Sequence, residues 1–237
     1  MENKEKTIDN YLAQHYIHRS NWLRAAVLGA NDGILSTTSI AIGVAAATDN
    51  RPAILLATLA GLVAGALSMA AGEYVSVSSQ TDVENADIER EKAELEEDPE
   101  AERLLLAKIY EERGLKKETA LQVANELTKK DALAAHVRDE LGITDLHKAN
   151  PLEAALASCG AFSVGGILPL LITLFVPLEA MIYSLYGFSV LFLALLGAFS
   201  AKFGGSSPQK AVIRITLWGT AAMGITAGVG YLFGVQV

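Results

Sequence analysis

Five long apolar segments constrain this chain more than any other feature of its sequence. Each holds the roughly 20 predominantly apolar residues that a helix needs to cross the hydrocarbon core of a bilayer. Charged or turn-forming residues separate them. The segments are residues 25–48, 53–77, 152–176, 180–201 and 211–233. We therefore predict an all-α, integral multi-pass membrane protein with five transmembrane helices that contact the lipid bilayer.

The acidic residues concentrate between the second and third apolar segments. The chain has a net charge of −8, and most of its Asp and Glu fall in this region. The chain has no stripe of basic residues, which argues against nucleic-acid binding. Its one cysteine excludes a scaffold held together by disulfides. We predict a cytosolic helical hairpin or bundle between spans two and three. The expected organisation is an N-terminal cytosolic segment at 1–24, transmembrane helices 1 and 2 at 25–77, an acidic metal-binding helical domain at 78–150, and transmembrane helices 3–5 at 151–237.

The distribution of Lys and Arg predicts the orientation in the membrane. Five spans put the N-terminus and the acidic region on one side, and positive residues favour the cytosolic side. Arg51 is the one cation on the opposite side, whereas the others share the side of the N-terminus; these include Lys4, Lys6, Arg19, Arg24, Lys202, Lys210 and Arg214. We therefore expect a cytosolic N-terminus and a cytosolic acidic domain.

Small residues recur at the spacing of packed membrane helices. Glycines four positions apart let helix backbones approach closely. They occur as Gly29 with Gly33, Gly61 with Gly65, Gly224 with Gly228 and Gly230 with Gly234. The pattern indicates close helix contacts, either within one protomer or at a dimer seam.

A long acidic helix is predicted to follow span two. No Gly or Pro interrupts residues 73–98, so the helix should stop just before Pro99. At about 100° per residue its acids form one stripe, and only Arg90 and Lys92 oppose the acids of residues 82–102. The stripe comprises Glu84, Asp87, Glu91, Glu94 and Asp98.

Three shorter helical segments follow and are expected to fold back as a small bundle. They are residues 101–113, 118–129 and 131–141, with Gly114 and Gly142 as stops. The apolar positions expected in its core are Leu104, Leu105, Ile109, Leu121, Ala124, Leu127, Leu133 and Val137. A solvated charged arm is one interpretation of the acidic stripe. The other is a divalent-cation site, because clustered carboxylates bind hard cations and His136 shifts the preference toward transition metals.

Ionisable residues also occur inside the predicted spans, where a charge is costly and indicates function. Asp32 lies about 12 Å into span one, eight residues past Arg24. In span two, Met69 and Glu73 are four residues apart and share a helix face. Asp32, Met69 and Glu73 form a candidate transport pathway, in which the thioether favours transition metals over Ca2+ and Mg2+. A buried ion pair for Asp32 and plain packing for Met69 are the alternatives.

Four stretches together resemble the vacuolar iron transporter family. They are Arg24-Ala-Ala-Val-Leu-Gly-Ala-Asn-Asp-Gly33, the run from Ala64 through Met69 and Glu73 to Tyr74, the glutamate-rich helix, and Gly165-Gly166-Ile-Leu-Pro169-Leu. The similarity extends from about residue 18 over nearly the whole chain. It implies five-span protomers that form homodimers, a cytosolic metal-binding domain, and export of Fe2+ or Mn2+ in exchange for protons. It also implies a location in the inner membrane of a prokaryote or the vacuolar membrane of a eukaryote.

The resemblance also implies roles for particular residues. Asp32 and Met69 match translocation-path positions. The cytosolic metal ligands match Glu91, Glu94, Glu102 and Glu140. Two departures from plant members, Leu105 in place of a glutamate and His136-Val137 in place of two methionines, imply a site that binds fewer or different ions.

These observations predict a divalent-metal exporter for Fe2+ and Mn2+ driven by proton antiport, with Zn2+ and Co2+ as further candidate ions. We expect no tightly bound cofactor and no enzymatic activity. A di-iron oxidase would need paired Glu-x-x-His motifs, and neither His136 nor His147 has Glu three residues earlier. The rival functions are a membrane-anchored metal sensor or binding protein and a passive divalent-cation channel.

Overall fold

The computed structural model describes residues 20–143 and 150–234, and within this part of the chain every regular element is a helix. The predicted N-terminal segment, with Lys4, Lys6 and Arg19, lies largely outside the described residues, as does His147. The side chain of Arg24 is also outside them. The helices are α1 (Ser20–Ala47), α2 (Arg51–Glu97), α3 (Pro99–Glu112), α4 (Lys117–Asp139), α5 (Pro151–Phe175), α6 (Leu178–Phe203) and α7 (Pro208–Gly234).

Five of these helices, α1, α2, α5, α6 and α7, are long and apolar enough to cross a membrane. The predicted all-helical architecture with five spans is thus confirmed, and the protein is a multi-pass membrane protein. The chain divides into two compact units. One contains the described residues up to Tyr74 and from Leu152 onward, and the other is the continuous stretch Val75–Pro151.

Close helix contacts in the first unit depend on glycines. A Cβ at Gly33 of α1 would overlap the carbonyl oxygen of Phe162 in α5, and one at Gly165 of α5 would overlap that of Ala30. The Phe162 ring occupies the space beside Gly65 of α2. Phe162 therefore links α1 and α2, and these glycines serve packing within the chain. Gly224 and Gly228 of α7, in contrast, face open space.

Arg51, the one cation predicted on the far side of the membrane, has a structural role. Its guanidinium donates hydrogen bonds to the carbonyl oxygens of Thr173, Leu174 and Val176, at 2.9, 2.9 and 2.5 Å. These carbonyls lie at the C-terminal end of α5, where backbone acceptors have no partner within the helix. A cation there also complements the helix dipole.

In the second unit, α3 and α4 pack against each other. Asp98 caps α3, its side chain accepting a hydrogen bond from the Ala101 N–H at 3.0 Å. The helix ends near Gly114, whose φ of +100° favours glycine. The predicted boundary before residue 131 appears as a kink in α4, where Asp131 has extended dihedrals and its side chain accepts a hydrogen bond from the Ala134 N–H.

The core of this unit differs from the expected one. Ala124 is fully buried, and Leu121 and Leu127 pack beside it as predicted. Leu104 and Leu105, however, are exposed, and Leu106 and Ala107 occupy the core in their place. Apolar periodicity gave the wrong face because four consecutive apolar residues, 104–107, allow two registers.

Candidate metal centre

Four of the predicted site residues converge within the second unit: Glu91 from α2, Glu102 from α3, and His136 and Glu140 from the end of α4. One ligand atom from each lies within 4.8 Å of all the others. His136 Nδ1 is central, at 2.9 Å from Glu91 Oε1, 3.0 Å from Glu140 Oε2 and 3.8 Å from Glu102 Oε2. We refer to these four residues as the acidic cluster.

Local structure explains how each side chain reaches the cluster. His136 and Glu140 are four residues apart, and the Glu140 N–H donates a hydrogen bond to the His136 carbonyl, so both side chains lie on one face. Glu102 lies in the first turn of α3, where the helix dipole favours a carboxylate. Only Asp98 separates α2 from α3, which brings Glu91 and Glu102 together across a tight connection.

The cluster is buried at its centre. The side chains of His136 and Glu91 are 0% and 2% exposed, whereas that of Glu140 is 30% exposed. His136 Nδ1 carries at most one proton, and the geometry directs its hydrogen bond to Glu140. Glu91 Oε1 and Glu102 Oε2 are buried and have no hydrogen-bond partner in the described chain. Buried carboxylate oxygens without donors are costly unless a cation neutralises them.

The pKa values of two of these carboxyls reflect this crowding. Burial raises the pKa of Glu91, the charges of Glu140, Glu102 and Glu94 raise it further, and His136 opposes them. The pKa of Glu102 is likewise raised, first by burial and then by neighbouring acids, against the opposing effect of His136. Both carboxyls therefore bind protons more readily than ordinary glutamates do.

The donor set suits a divalent transition metal. Three carboxylates and one imidazole match the preferences of Mn2+, Fe2+ and Zn2+ better than those of Ca2+, which takes oxygen ligands alone. Ligand atoms about 2.0–2.2 Å from a shared ion lie at most about 4.4 Å apart. The acidic cluster therefore needs only small side-chain movements to close around one ion.

Three other predicted ligands lie outside this group. Asp87 and Glu94 each face Arg90, with N to O distances of 3.5 and 3.8 Å. The Glu84 carboxylate accepts a hydrogen bond from Gln80 at an exposed position. Glu94 is close enough to raise the pKa values of Glu91 and Glu102. The structure thus brings four members of the predicted set together and leaves Glu84, Asp87 and Glu94 at the surface around them.

A supporting group beside the cluster was not predicted from the sequence. Asp139 accepts hydrogen bonds from Tyr110 at 2.9 Å and from Arg113 and Arg138 at 2.7 Å each. Burial would raise the pKa of Asp139, but these three hydrogen bonds outweigh it and lower the pKa to about 2. Because Asp139 immediately precedes Glu140, this clamp fixes the end of α4 that carries two members of the cluster. Tyr110 in α3 and Arg113 just after it, three residues apart, are the one sequence signal for it.

The candidate pathway residues all lie in the first unit. Asp32 of α1 is half-buried beside Gly33, and its carbonyl accepts a hydrogen bond from Ser36. Met69 and Glu73 lie on one face of α2, and Met69 packs against the core formed by Leu62, Ala66 and Phe162. Phe162 thus contacts α1 beside Asp32 and lies in the cluster against which Met69 packs.

The chain is similar in sequence to a known protein family and to several named proteins. Residues 23–231 match the model of the VIT family. A vacuolar iron transporter from Acanthamoeba castellanii is 45% identical over 95% of this chain and 84% of its own length. Vacuolar iron transporter homolog 1 of Oryza sativa subsp. japonica is 38% identical over 94% of this chain and 78% of its own. Vacuolar iron transporter homolog 2 of Arabidopsis thaliana is 36% identical over 92% and 88%. With a match of this extent and relatives of this identity, the chain belongs to the vacuolar iron transporter (VIT) family.

Proposed function

We propose that this protein exports Fe2+ and Mn2+ from the cytosol in exchange for protons. The VIT family match and the relatives named as iron transporters support metal transport. The observation that carries the proposal is the acidic cluster, in which buried, unpartnered oxygens of Glu91 and Glu102 face His136. Burying negative charges without a counter-charge is costly, and a divalent cation bound between these carboxylates removes that cost.

The steps of the proposed cycle follow from charge and ligand type. The acidic cluster captures the ion on the cytosolic side, with Glu84, Asp87 and Glu94 attracting cations to it. Glu73 and Met69 pass the ion along α2. Asp32 binds it within the membrane, and protonation of the pathway carboxylates from the opposite side releases it.

Proton exchange is a property of such ligands. A carboxyl group that is crowded by other acids takes up a proton readily, and a metal ion displaces that proton on binding. The raised pKa values of Glu91 and Glu102 support such proton exchange at the cluster itself. A homodimer as the functional unit is part of the proposal, because the family resemblance implies it.

The direct test is metal uptake by proteoliposomes that enclose a metal-sensitive dye and a pH-sensitive dye. Fe2+, Mn2+, Mg2+ and Ca2+ are added outside, with and without an acidic lumen. We expect an acidic lumen to accelerate Fe2+ and Mn2+ uptake and the lumen pH to rise as metal enters. Protein-free liposomes provide the control for leakage.

Two other results would replace the proposal. Metal flux that ignores the pH gradient and moves no protons would identify a passive divalent-cation channel. Tight metal binding without any flux would identify a membrane-anchored metal sensor, a function for which the acidic cluster alone would suffice.

A further inference from the structure

A second polar site lies in the first unit and shares no residue with the acidic cluster. A cavity of about 220 Å3 lies between α1, α6 and α7. This volume is far above the roughly 15 Å3 that admits one water molecule. Its polar lining consists of Asn31 from α1, Ser200 from α6, and Arg214 and Trp218 from α7.

The cavity is distinct from the candidate transport pathway. Val27, Asn31 and Leu35 line it and are spaced by four residues, so they form one face of α1. Asp32 projects about 100° away from Asn31 around the same helix. None of the lining residues is an acid, so the cavity offers no negative charge to a metal cation.

The chemistry of the lining instead favours an anion. Arg214, Trp218, Asn31 and Ser200 all carry hydrogen-bond donors. Within the described chain, no side chain or backbone group bonds to the Arg214 guanidinium or the Trp218 indole, and no acid lies within ion-pair distance of Arg214. Residues 180–237 contain Lys202, Lys210 and Arg214 but neither Asp nor Glu. Among the described residues, the Arg214 guanidinium is thus available to bind a ligand.

The depth of the cavity points to the ligand's source. Ser200 lies three residues before the end of α6 at Phe203, and Arg214 lies six residues after the start of α7 at Pro208, about 9 Å along its axis. Lipid headgroups meet the hydrocarbon core at this depth, and Trp is enriched there. Lys202, one residue before the end of α6, would attract anionic lipids to the same end of the helices.

We propose that this cavity binds a phosphate group, supplied by the headgroup of an anionic membrane lipid. Arg214 clamps two phosphate oxygens with its planar guanidinium. Trp218, Asn31 and Ser200 add hydrogen bonds, and the apolar side chains of the lining meet the lipid's glycerol and upper acyl carbons. Inorganic phosphate shares the recognised group and is the alternative source.

Trp218 provides the readout. The chain has two tryptophans, Trp22 and Trp218, so a Trp22→Phe background leaves the cavity tryptophan as the single indole emitter. The full-length protein in neutral detergent is titrated with dihexanoyl phosphatidylglycerol, dihexanoyl phosphatidylcholine and inorganic phosphate while Trp218 emission is recorded. We expect a saturable change with phosphatidylglycerol at concentrations at least tenfold lower than for the other two.

Matched variants distinguish binding in this cavity from general electrostatic attraction of anionic lipids to the protein. Arg214→Gln should weaken phosphatidylglycerol binding at least tenfold, whereas Lys210→Gln, which removes the same charge from a residue outside the lining, should change it less than twofold. Asn31→Ala keeps every charge and should weaken binding at least threefold, which tests the site even if Arg214→Gln fails to fold. Equal effects of Arg214→Gln and Lys210→Gln, or no saturable change, would overturn the site. Arg214-dependent binding of inorganic phosphate at the lower concentration would overturn the lipid as its source.

Discussion

Glu91 Oε1 lies 2.9 Å from His136 Nδ1, yet the hydrogen bond of that nitrogen goes to Glu140. Glu91 is therefore a buried carboxylate beside an imidazole that is already engaged. Its side chain is 2% exposed, so bulk water does not reach it. A structural role and a metal-binding role of Glu91 therefore predict opposite effects of its substitution on the stability of the metal-free protein.

Replacing Glu91 with Gln should weaken metal binding and stabilise the metal-free protein. The amide keeps the size of the side chain but removes a ligand charge, so the Mn2+ affinity measured by titration calorimetry should fall at least about tenfold. Local stability, measured by hydrogen exchange of α3 and α4 after chelation, should rise because no charge stays buried among other acids. The matched control is Glu89→Gln, an exposed acid on the same helix. A loss of stability in Glu91→Gln would show that the carboxylate serves packing rather than ion binding.

The stability of the metal-free acidic cluster should depend on pH in the direction set by Glu91 and Glu102. Their pKa values are raised in the folded state. The stability that protonation contributes is therefore fully present below the unfolded value of about 4.5 and is lost as pH rises through the folded pKa values. We expect the difference in hydrogen-exchange protection between wild type and Glu91→Gln to shrink on acidification from pH 7.5 to 5. A difference that stayed constant over this range would contradict the raised pKa.

Asp139→Asn should destabilise the α3–α4 pair by about 2 kcal/mol at neutral pH. The drop in the pKa of Asp139 from 3.8 to about 2 sets this magnitude, and its side chain is only 8% exposed, so solvent screens it little. Because the pKa is lowered, the contribution is present above the unfolded value near 4 and lost as pH falls toward 2. Hydrogen exchange of residues 99–112 reports it, with Glu112→Gln as the surface control. Unchanged protection would mean that the two arginines and Tyr110 do not hold α4.

Asp32→Asn should abolish transport in the proteoliposome assay while leaving Mn2+ binding by the acidic cluster unchanged. The amide preserves the size of the side chain next to Gly33, but it does not ionise near neutral pH and so can neither release a proton nor carry a full negative charge. Calorimetry and uptake on the same preparation separate the two functions. Retained proton-coupled flux would remove Asp32 from the pathway.

The sequence predicted the helices well because each boundary has a local chemical cause. Pro99 ends α2, Gly114 ends α3, and Asp131 interrupts α4 through its own side chain. The five spans follow from length and apolar composition alone.

The arrangement of side chains was harder to predict from the sequence, because it depends on how the helices pack against one another. All acids of the α2 stripe share one face, but only Glu91 lies deep enough to meet His136, while Asp87 and Glu94 face Arg90. Leu104 and Leu105 are exposed for a related reason, because the apolar run 104–107 does not show which face of α3 is buried. Asp139 was missed since its three partners are distributed over α3 and α4 and converge only after folding.

The second unit is one uninterrupted stretch, Val75–Pro151, and this continuity bears on how the protein is made. Loops that join its helices are short, so closing them costs little entropy and favours rapid folding. All four residues of the acidic cluster precede α5. The nascent chain can therefore complete the acidic cluster without any residue of α5, α6 or α7.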